Sequence, residues 1–174
     1  MPKLSIVVPC YNEEETIPLF YPAVEKVVKQ MPVDTEYWFV NDGSNDGTLA
    51  ELRKLHEQDP ERVHYVSFSR NFGKEAGLYA GLQAATGDYV VVMDADLQDP
   101  PEYLPEMYHD ISTGEYDCVG MRRTDRKGEA KFKSFLSDQF YNVINKISDT
   151  KIVSGARDYR MMTRQMVDAV LSLT

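Results

Sequence analysis

The chain has few cysteines, no long apolar run and little positive charge, and each shortage excludes something. Two cysteines in 174 residues, Cys10 and Cys118, show neither metal-ligand spacing nor a disulfide framework, and a reduced pair of buried small hydrophobes is expected. The longest charge-free stretch, Ala76 to Gly87, is interrupted by glycines and Gln83. It falls well short of the ~20 apolar residues a membrane span needs. Nineteen basic residues against 28 acidic ones give a formal net charge of −9, which repels phosphate backbones and argues against general nucleic-acid binding. The three histidines, His56, His64 and His109, lack paired ligand spacing and are expected to be structural or exposed. No basic leader with an apolar core and small-residue cleavage site opens the chain, so no secretory signal is predicted and the cytosol is the default compartment. Internal repeats and low-complexity tracts are absent as well.

What is present reads as one soluble domain with a real core, at 43% hydrophobic and 27% charged residues, and disorder is excluded. Apolar, β-branched runs at Leu4–Val8, Tyr37–Val40, Val63–Phe68, Tyr89–Met93 and Cys118–Met121 predict strands. They are short and nearly all apolar, as in a parallel sheet covered by helices on both faces. Between the first two, Ile17, Phe20, Tyr21, Val24, Val27, Val28 and Met31 recur at helical spacing, with Pro18 and Pro22 placed early. Further helices are predicted over Thr48–Gln58 behind an Asn45/Asp46 cap, over Lys74–Ala85 and over Pro101–Ser112. Beyond them, residues 122–133 (RRTDRKGEAKFK) hold six basic and two acidic side chains, so the remaining residues carry −13 of the total. Phe132, Phe135, Leu136, Phe140, Val143, Ile144 and Ile147 then mark an amphipathic helix. It suits either core packing or a place against a bilayer behind the basic residues. From Thr163 a last helix is still in progress at Thr174, and the natural chain is expected to continue.

In a doubly wound sheet, ligands bind beyond the carboxyl ends of the strands. Those positions are polar here: Pro9, Cys10, Tyr11, Asn12 and Glu13; Asn41, Asp42, Gly43 and Ser44; Ser69, Arg70 and Asn71; Asp94, Ala95 and Asp96. Turns and helix caps favour the same residue types, but four such clusters on one rim are harder to attribute to turns alone. The DAD at 94–96 sets two carboxylates one residue apart at a strand tip. That suits Mg²⁺ or Mn²⁺ held by one or two carboxylates together with substrate phosphates, and so implies a diphosphate-bearing ligand. VNDGSNDGT (40–48) permits close backbone approach but is no dinucleotide fingerprint, and Glu75 after Gly73-Lys74 excludes a Walker loop.

SIVVPCYNEE (5–14), VNDGSNDGT, SRNFGKEAGL (69–78) and DADLQDPPE (94–102), in this order, together resemble glycosyltransferase family 2. The pairing of SRNFGKEA with DADLQDPPE is most similar to its polyprenyl-phosphate group. The resemblance implies an α/β GT-A fold, a Rossmann-like mostly parallel sheet with helices on both faces, filling residues 1–174 as one catalytic domain. It implies that Pro9, Tyr11, Glu13 and Asp42 hold the base and ribose of a nucleoside-diphosphate sugar, with Lys74 in the same group, and that Asp94 and Asp96 carry its diphosphate through Mg²⁺ or Mn²⁺, with Gln98 beside them. An acid followed by an aromatic and an arginine matches Asp158, Tyr159 and Arg160.

The expected reaction is inverting transfer of a hexose, UDP-glucose being the first donor considered and GDP-mannose the second, to a polyprenyl phosphate at the cytoplasmic face of the membrane. Asp96 and Gln98 are then expected to act in catalysis together with Asp158, which is either a base or an orienter of the acceptor. Arg122, Arg123, Arg126 and Arg160 are expected to hold the acceptor phosphate, since guanidinium forks suit it bidentately. Other readings are a family 2 enzyme with a saccharide hydroxyl acceptor, a noncatalytic nucleotide-sugar binding module, and a haloacid-dehalogenase-like phosphatase with Asp94 as nucleophile.

Overall fold

The computed structural model describes residues 1–122 and 156–173, with side chains described over 1–121 and 158–173. The elements run β1 (Lys3–Cys10), α1 (Ile17–Val28), β2 (Asp34–Asn41), α2 (Thr48–Gln58), β3 (Val63–Ser67), α3 (Lys74–Ala84) and β4 (Tyr89–Val92). A 3₁₀ turn (Pro101–Tyr103), α4 (Leu104–Ser112), β5 (Cys118–Arg122), β6 (Ala156–Thr163) and α5 (Arg164–Leu171) complete the order. Two compact units emerge. Met1–Val119 with Asp158–Thr174 forms the first, and Gly120–Arg157, nearly all of it outside the described residues, forms the second.

The sheet has the strand order β3-β2-β1-β4-β6-β5. β1 pairs in parallel with β2 and with β4, and β2 pairs in parallel with β3. From β1 the chain thus builds outward to β2 and β3 on one side and returns to β4 on the other, which makes the carboxyl end of β1 a topological switch point. The strands are apolar because both faces are covered. On one face Val7, Val90, Val92 and Met162 pack with Leu82 of α3 and Val167 of α5. The approach of α3 is close: a Cβ on Gly81 would lie 2.3 Å from Val7 Cγ1, so only glycine fits there. On the other face Phe20 of α1 meets Phe39 edge-on, and Tyr37 and Phe39 stack.

The structure departs from the sequence-based expectation at several points, among them the last helix, which ends at Leu171 instead of running on to Thr174. β6 is a sixth strand, antiparallel to β4; Arg157, Asp158 and Arg160 interrupt its apolar pattern and hide it. β3 is an edge strand and only half-buried. α1 ends at Val28, with Met31 buried in the following turn. The first turn expected of the Pro101 helix is 3₁₀. Cys10 is buried as expected, but Cys118, which opens the edge strand β5, is exposed. The N-cap of α2 is Gly47 rather than Asn45 or Asp46, although Asp46 Oδ1, one residue earlier, accepts from Thr48 N–H at 3.0 Å. Side chains of Arg122, Arg123 and Arg126, and the amphipathic run 132–147, lie outside the described residues. Among the described residues no helix is long and apolar enough to cross a membrane.

The amino end of the sheet is closed by a buried carboxylate. Glu36 accepts from Ser5 Oγ (2.6 Å), Thr86 N–H (2.7 Å) and Thr86 Oγ1 (3.0 Å), and it pairs with Lys3 Nζ at 2.5 Å. Burial alone would raise its pKa, but these hydrogen bonds outweigh burial and bring it down to about 2. A carboxyl whose folded pKa lies below its unfolded value stabilises the fold above the unfolded value, and the contribution is lost as pH falls through the folded one. Glu36→Gln should therefore cost about 2–3 kcal/mol at pH 7, allowing for the partial exposure of Lys3. The gap to the parent should narrow below pH ~4.5 and nearly vanish by pH ~2, as read by denaturant titration across pH.

Candidate active site

The loops that leave β1, β2 and β3 are bound to one another before any ligand is considered. Asn12, at φ 57°, donates its N–H to Ser44 Oγ (3.0 Å) and accepts Asn45 N–H on Oδ1 (2.9 Å). Glu14 Oε2 accepts Gly47 N–H at 2.6 Å, and Glu13 N–H reaches Thr48 Oγ1 at 2.8 Å. Asp42 is buried, and its two oxygens accept the N–H groups of Phe72 (2.7 Å) and Gly73 (2.9 Å). The short polar residues that suggest mere turns thus fasten three strand-tip loops into one rim. Gly43 makes the fastening possible. Its φ is +64°, and a Cβ there would stand 2.2 Å from the carbonyl carbon of Arg70.

Beneath these loops lies a cavity of about 430 Å³. Pro9, Tyr11, Glu13, Asp42, Lys74, Asp94 and Asp96, all anticipated from the sequence, line it. Cys10, Asn71, Gly73 and Ala95 line it too. Cys10, Asn71 and Ala95 stand among the strand-tip positions named from the sequence but are given no role there, and Gly73 is left out; the signal for it is its place between Asn71 and Lys74. Gln98 is exposed and outside the lining, its N–H donated to Asp96 Oδ1 at 3.0 Å. Leu97 between them takes φ 56°, a backbone region that non-glycine residues enter at some cost and mostly where a site demands it.

β6 does not line the cavity, and neither Asp158 nor Arg160 is among its walls; the strand reaches the site through Lys74. Its antiparallel register sets Val92 opposite Arg160, so continuing two residues brings Asp158 opposite Asp94. Lys74, the first residue of α3, bridges them, with Nζ 2.7 Å from Asp94 Oδ1 and 2.8 Å from Asp158 Oδ2. Arg160 Nη2 stands 3.8 Å from Asp158 Oδ1. Tyr159, on the opposite face of the strand, is buried and donates to the Pro100 carbonyl at 3.3 Å, anchoring the chain after DAD. Burial works against the charge on Lys74, but its two carboxylate partners more than offset that and raise its pKa. The Lys74 hydrogen bond, opposed by partial burial, holds Asp158 below the usual carboxylate range.

Four carboxylates and one ammonium line the cavity. Such a site repels a diphosphate unless cations accompany it. Among the described residues no three His, Cys, Asp or Glu side chains gather as a ready metal cage. Two strand-tip carboxylates and open surroundings are nonetheless the donor set of a hard ion that takes its other oxygens from water and substrate. Of the histidines, His56 Nδ1 contacts the Val63 carbonyl at 2.6 Å, His64 packs on Trp38, and His109 is exposed; none lines the cavity.

A switch-point cavity walled by polar strand tips and a D-x-D is the arrangement of GT-A nucleotide-sugar transferases. The family model "Glycosyl transferase family 2" matches residues 5–171, and the chain belongs to that family. The bactoprenol glucosyl transferase of Shigella phage SfX is 42% identical over 168 residues, which are 97% of this chain and 54% of that protein. The putative glycosyltransferase CsbB of Bacillus subtilis is 42% identical over 171 residues, 98% of this chain and 51% of CsbB. The chain thus spans about half the length of the curated relatives it matches. Among solved structures, the mannosyltransferase PcManGT of Pyrobaculum calidifontis, in complex with GDP-Man and Mn²⁺, superposes with a TM-score of 0.69 at 25% identity, over 97% of this chain and 46% of that one. Glucosyl-3-phosphoglycerate synthase of Mycobacterium tuberculosis, in complex with Mn²⁺, UDP-glucose and phosphoglyceric acid, gives 0.65 at 22% identity, over 95% and 57%. The fold expected from the sequence is therefore the fold found, and family membership sets the phosphatase reading aside.

Because Gly43 combines a left-handed backbone with contact against the next loop, Gly43→Ala should lower stability by at least ~2 kcal/mol and loosen the rim. Denaturant midpoints report the first effect. Faster hydrogen exchange at the Phe72 and Gly73 amides, which Asp42 holds, reports the second.

Proposed function

We propose that the chain is the catalytic domain of an inverting hexosyltransferase that moves a sugar, glucose first, from a nucleoside diphosphate to a polyprenyl phosphate at the cytoplasmic membrane face. The observation that carries this reading is the cavity at the switch point with Asp94 and Asp96 in its wall. The 42% identity to a bactoprenol glucosyl transferase supports the sugar and the acceptor. Tyr11 is half-exposed at the cavity mouth and offers a flat face to a base. Pro9 and Glu13 flank it, and Asp42, though committed to the Phe72 and Gly73 amides, keeps the neighbouring loop in place.

Asp94 and Asp96 would hold Mg²⁺ or Mn²⁺. Such an ion, when bound, stabilises the leaving diphosphate as a Lewis acid. The residues do the rest. Asp158 and Arg160 orient the acceptor phosphate beside Lys74. The acceptor-phosphate role expected of Arg122, Arg123 and Arg126 rests on the sequence alone: their charge would offset the repulsion between two polyanions. Gln98 and its turn hold Asp96 in place.

With UDP-[¹⁴C]glucose, polyprenyl phosphate in detergent and Mn²⁺, label should pass into the organic phase, and Asp96→Asn should cut the rate by about 10²-fold or more. UDP binding by calorimetry without any transfer would leave a binding module, and transfer to a free saccharide instead would make the acceptor a hydroxyl. Binding of neither UDP nor GDP with Mn²⁺ would overturn the reading. Arg126→Ala should raise the KM for polyprenyl phosphate at least about fivefold while the donor KM stays near the parent value; equal changes in both would remove this arginine from the acceptor site.

A further inference from the structure

Lys74 stands where a metal-binding site would not be expected to put a cation. It opens α3, so its ammonium lies at the positive end of that helix, where a lysine is disfavoured. Its 2.7 Å and 2.8 Å contacts to Asp94 and Asp158 compensate. The two acids belong to different parts of the site: Asp94 follows β4 in the DAD tip, and Asp158 lies on antiparallel β6. Opposed across the sheet with nothing between them, they would repel. The lysine side chain is 40% exposed, so it can leave its partners for water at modest cost.

We propose that Lys74 is a tethered counter-cation: its ammonium occupies Asp94 while the site is empty, and yields that carboxylate when a divalent ion arrives with its diphosphate. This rests on the assignment of Asp94 and Asp96 to the ion, and makes Lys74 a positioning residue that sets how tightly the empty site takes metal. The exchange is one of ion pairs alone. Asp94 trades an ammonium for a divalent ion, the ammonium keeps Asp158 or turns to the diphosphate, and no covalent bond changes. Without nucleotide, the bare ion must displace Lys74 unaided and binds weakly. With nucleotide, the displaced ammonium gains a phosphate oxygen and the penalty is returned. Metal and nucleotide binding are thereby coupled, each favouring the other.

The probe is Mn²⁺ followed by electron paramagnetic resonance, with and without UDP. Lys74→Met should tighten binding of Mn²⁺ alone by about three- to tenfold, because the competing cation is gone. It should also reduce the factor by which UDP strengthens Mn²⁺ binding by a similar amount. Lys74→Arg, which keeps a cation, should stay near the parent in the metal-only titration, and Asp94→Asn should abolish metal binding in every background. Unchanged or weakened binding of Mn²⁺ alone to a folded Lys74→Met protein would overturn the proposal. Should Lys74→Met fail to fold, the parent still decides it. The coupling across the hydrogen bond between the Lys74 ammonium nitrogen and the Asp94 carboxylate carbon, read by NMR, should vanish when diamagnetic Mg²⁺ and UDP are added, and its retention would sink the idea. Failure of UDP and GDP to bind the parent at all would strike the proposed function instead and leave the metal-only comparison standing.

Discussion

Carboxylates crowded on one rim of a sheet repel each other, and what the rim can bind depends on how each is compensated. The compensation here is uneven. Asp42 is buried, where an uncompensated charge would be expensive, and two backbone N–H groups satisfy it. Glu13 accepts from the Thr16 hydroxyl at the start of α1. Asp94 relies on an ammonium that is itself part-exposed, and Asp96 is exposed with one local N–H upon it. An incoming cation gains least at Asp42 and most at the DAD pair. Charge compensation therefore selects the DAD tip from a rim with acids throughout.

The two ends of the sheet handle charge in opposite ways. At the amino end Glu36 is saturated by Ser5, Thr86 and Lys3. Arg164 joins the same end, donating to the Ala85 and Gly87 carbonyls at 2.8–3.0 Å and so tying α5 to the turn before β4. A second saturated cluster, in which Arg62 meets Glu25 at 3.0 Å and 3.1 Å while Tyr37 donates to Glu25 at 2.8 Å, joins α1 to β2 and the start of β3. These groups have no capacity left for a ligand, and their charges serve the fold. At the carboxyl end, loops with left-handed backbone at Asn12, Gly43 and Leu97 leave carboxylates facing a cavity.

The parallel core and its rim were legible because their signals are local. Apolar β-branched runs end in Pro9, Asp42, Asn71 and Asp94, and the doubly wound rule converts those chain positions into one rim. The strand order delivers that rim. Hidden from the sequence were the features that depend on partners far along the chain. Strand β6 carries Asp158 and Arg160 on the face where an apolar pattern would be sought, and only its pairing with β4 makes a strand of it. Asp42 reads as a ligand residue because nothing local discloses that residues 72 and 73 take both its oxygens. Lys74 reads as a nucleotide-sugar contact, whereas its pairing with two acids appears only when α3, β4 and β6 are brought together.

The electrostatics of Asp158 also bear on which acceptor chemistry the site can serve. A hydroxyl acceptor must lose a proton as it attacks, and the base that takes it works best with a pKa near the operating pH. Asp158 is displaced in the other direction, held low by Lys74, so in this arrangement it is a poor proton acceptor and a good hydrogen-bond anchor. A phosphate monoester brings its own charge, since its second pKa of about 6 leaves it largely dianionic at neutral pH. It needs positioning and neighbouring cations rather than a base, and the Asp158–Arg160 pair beside Lys74 is built for positioning. The proposed polyprenyl phosphate acceptor thus demands least of the residue that is least able to act as a base.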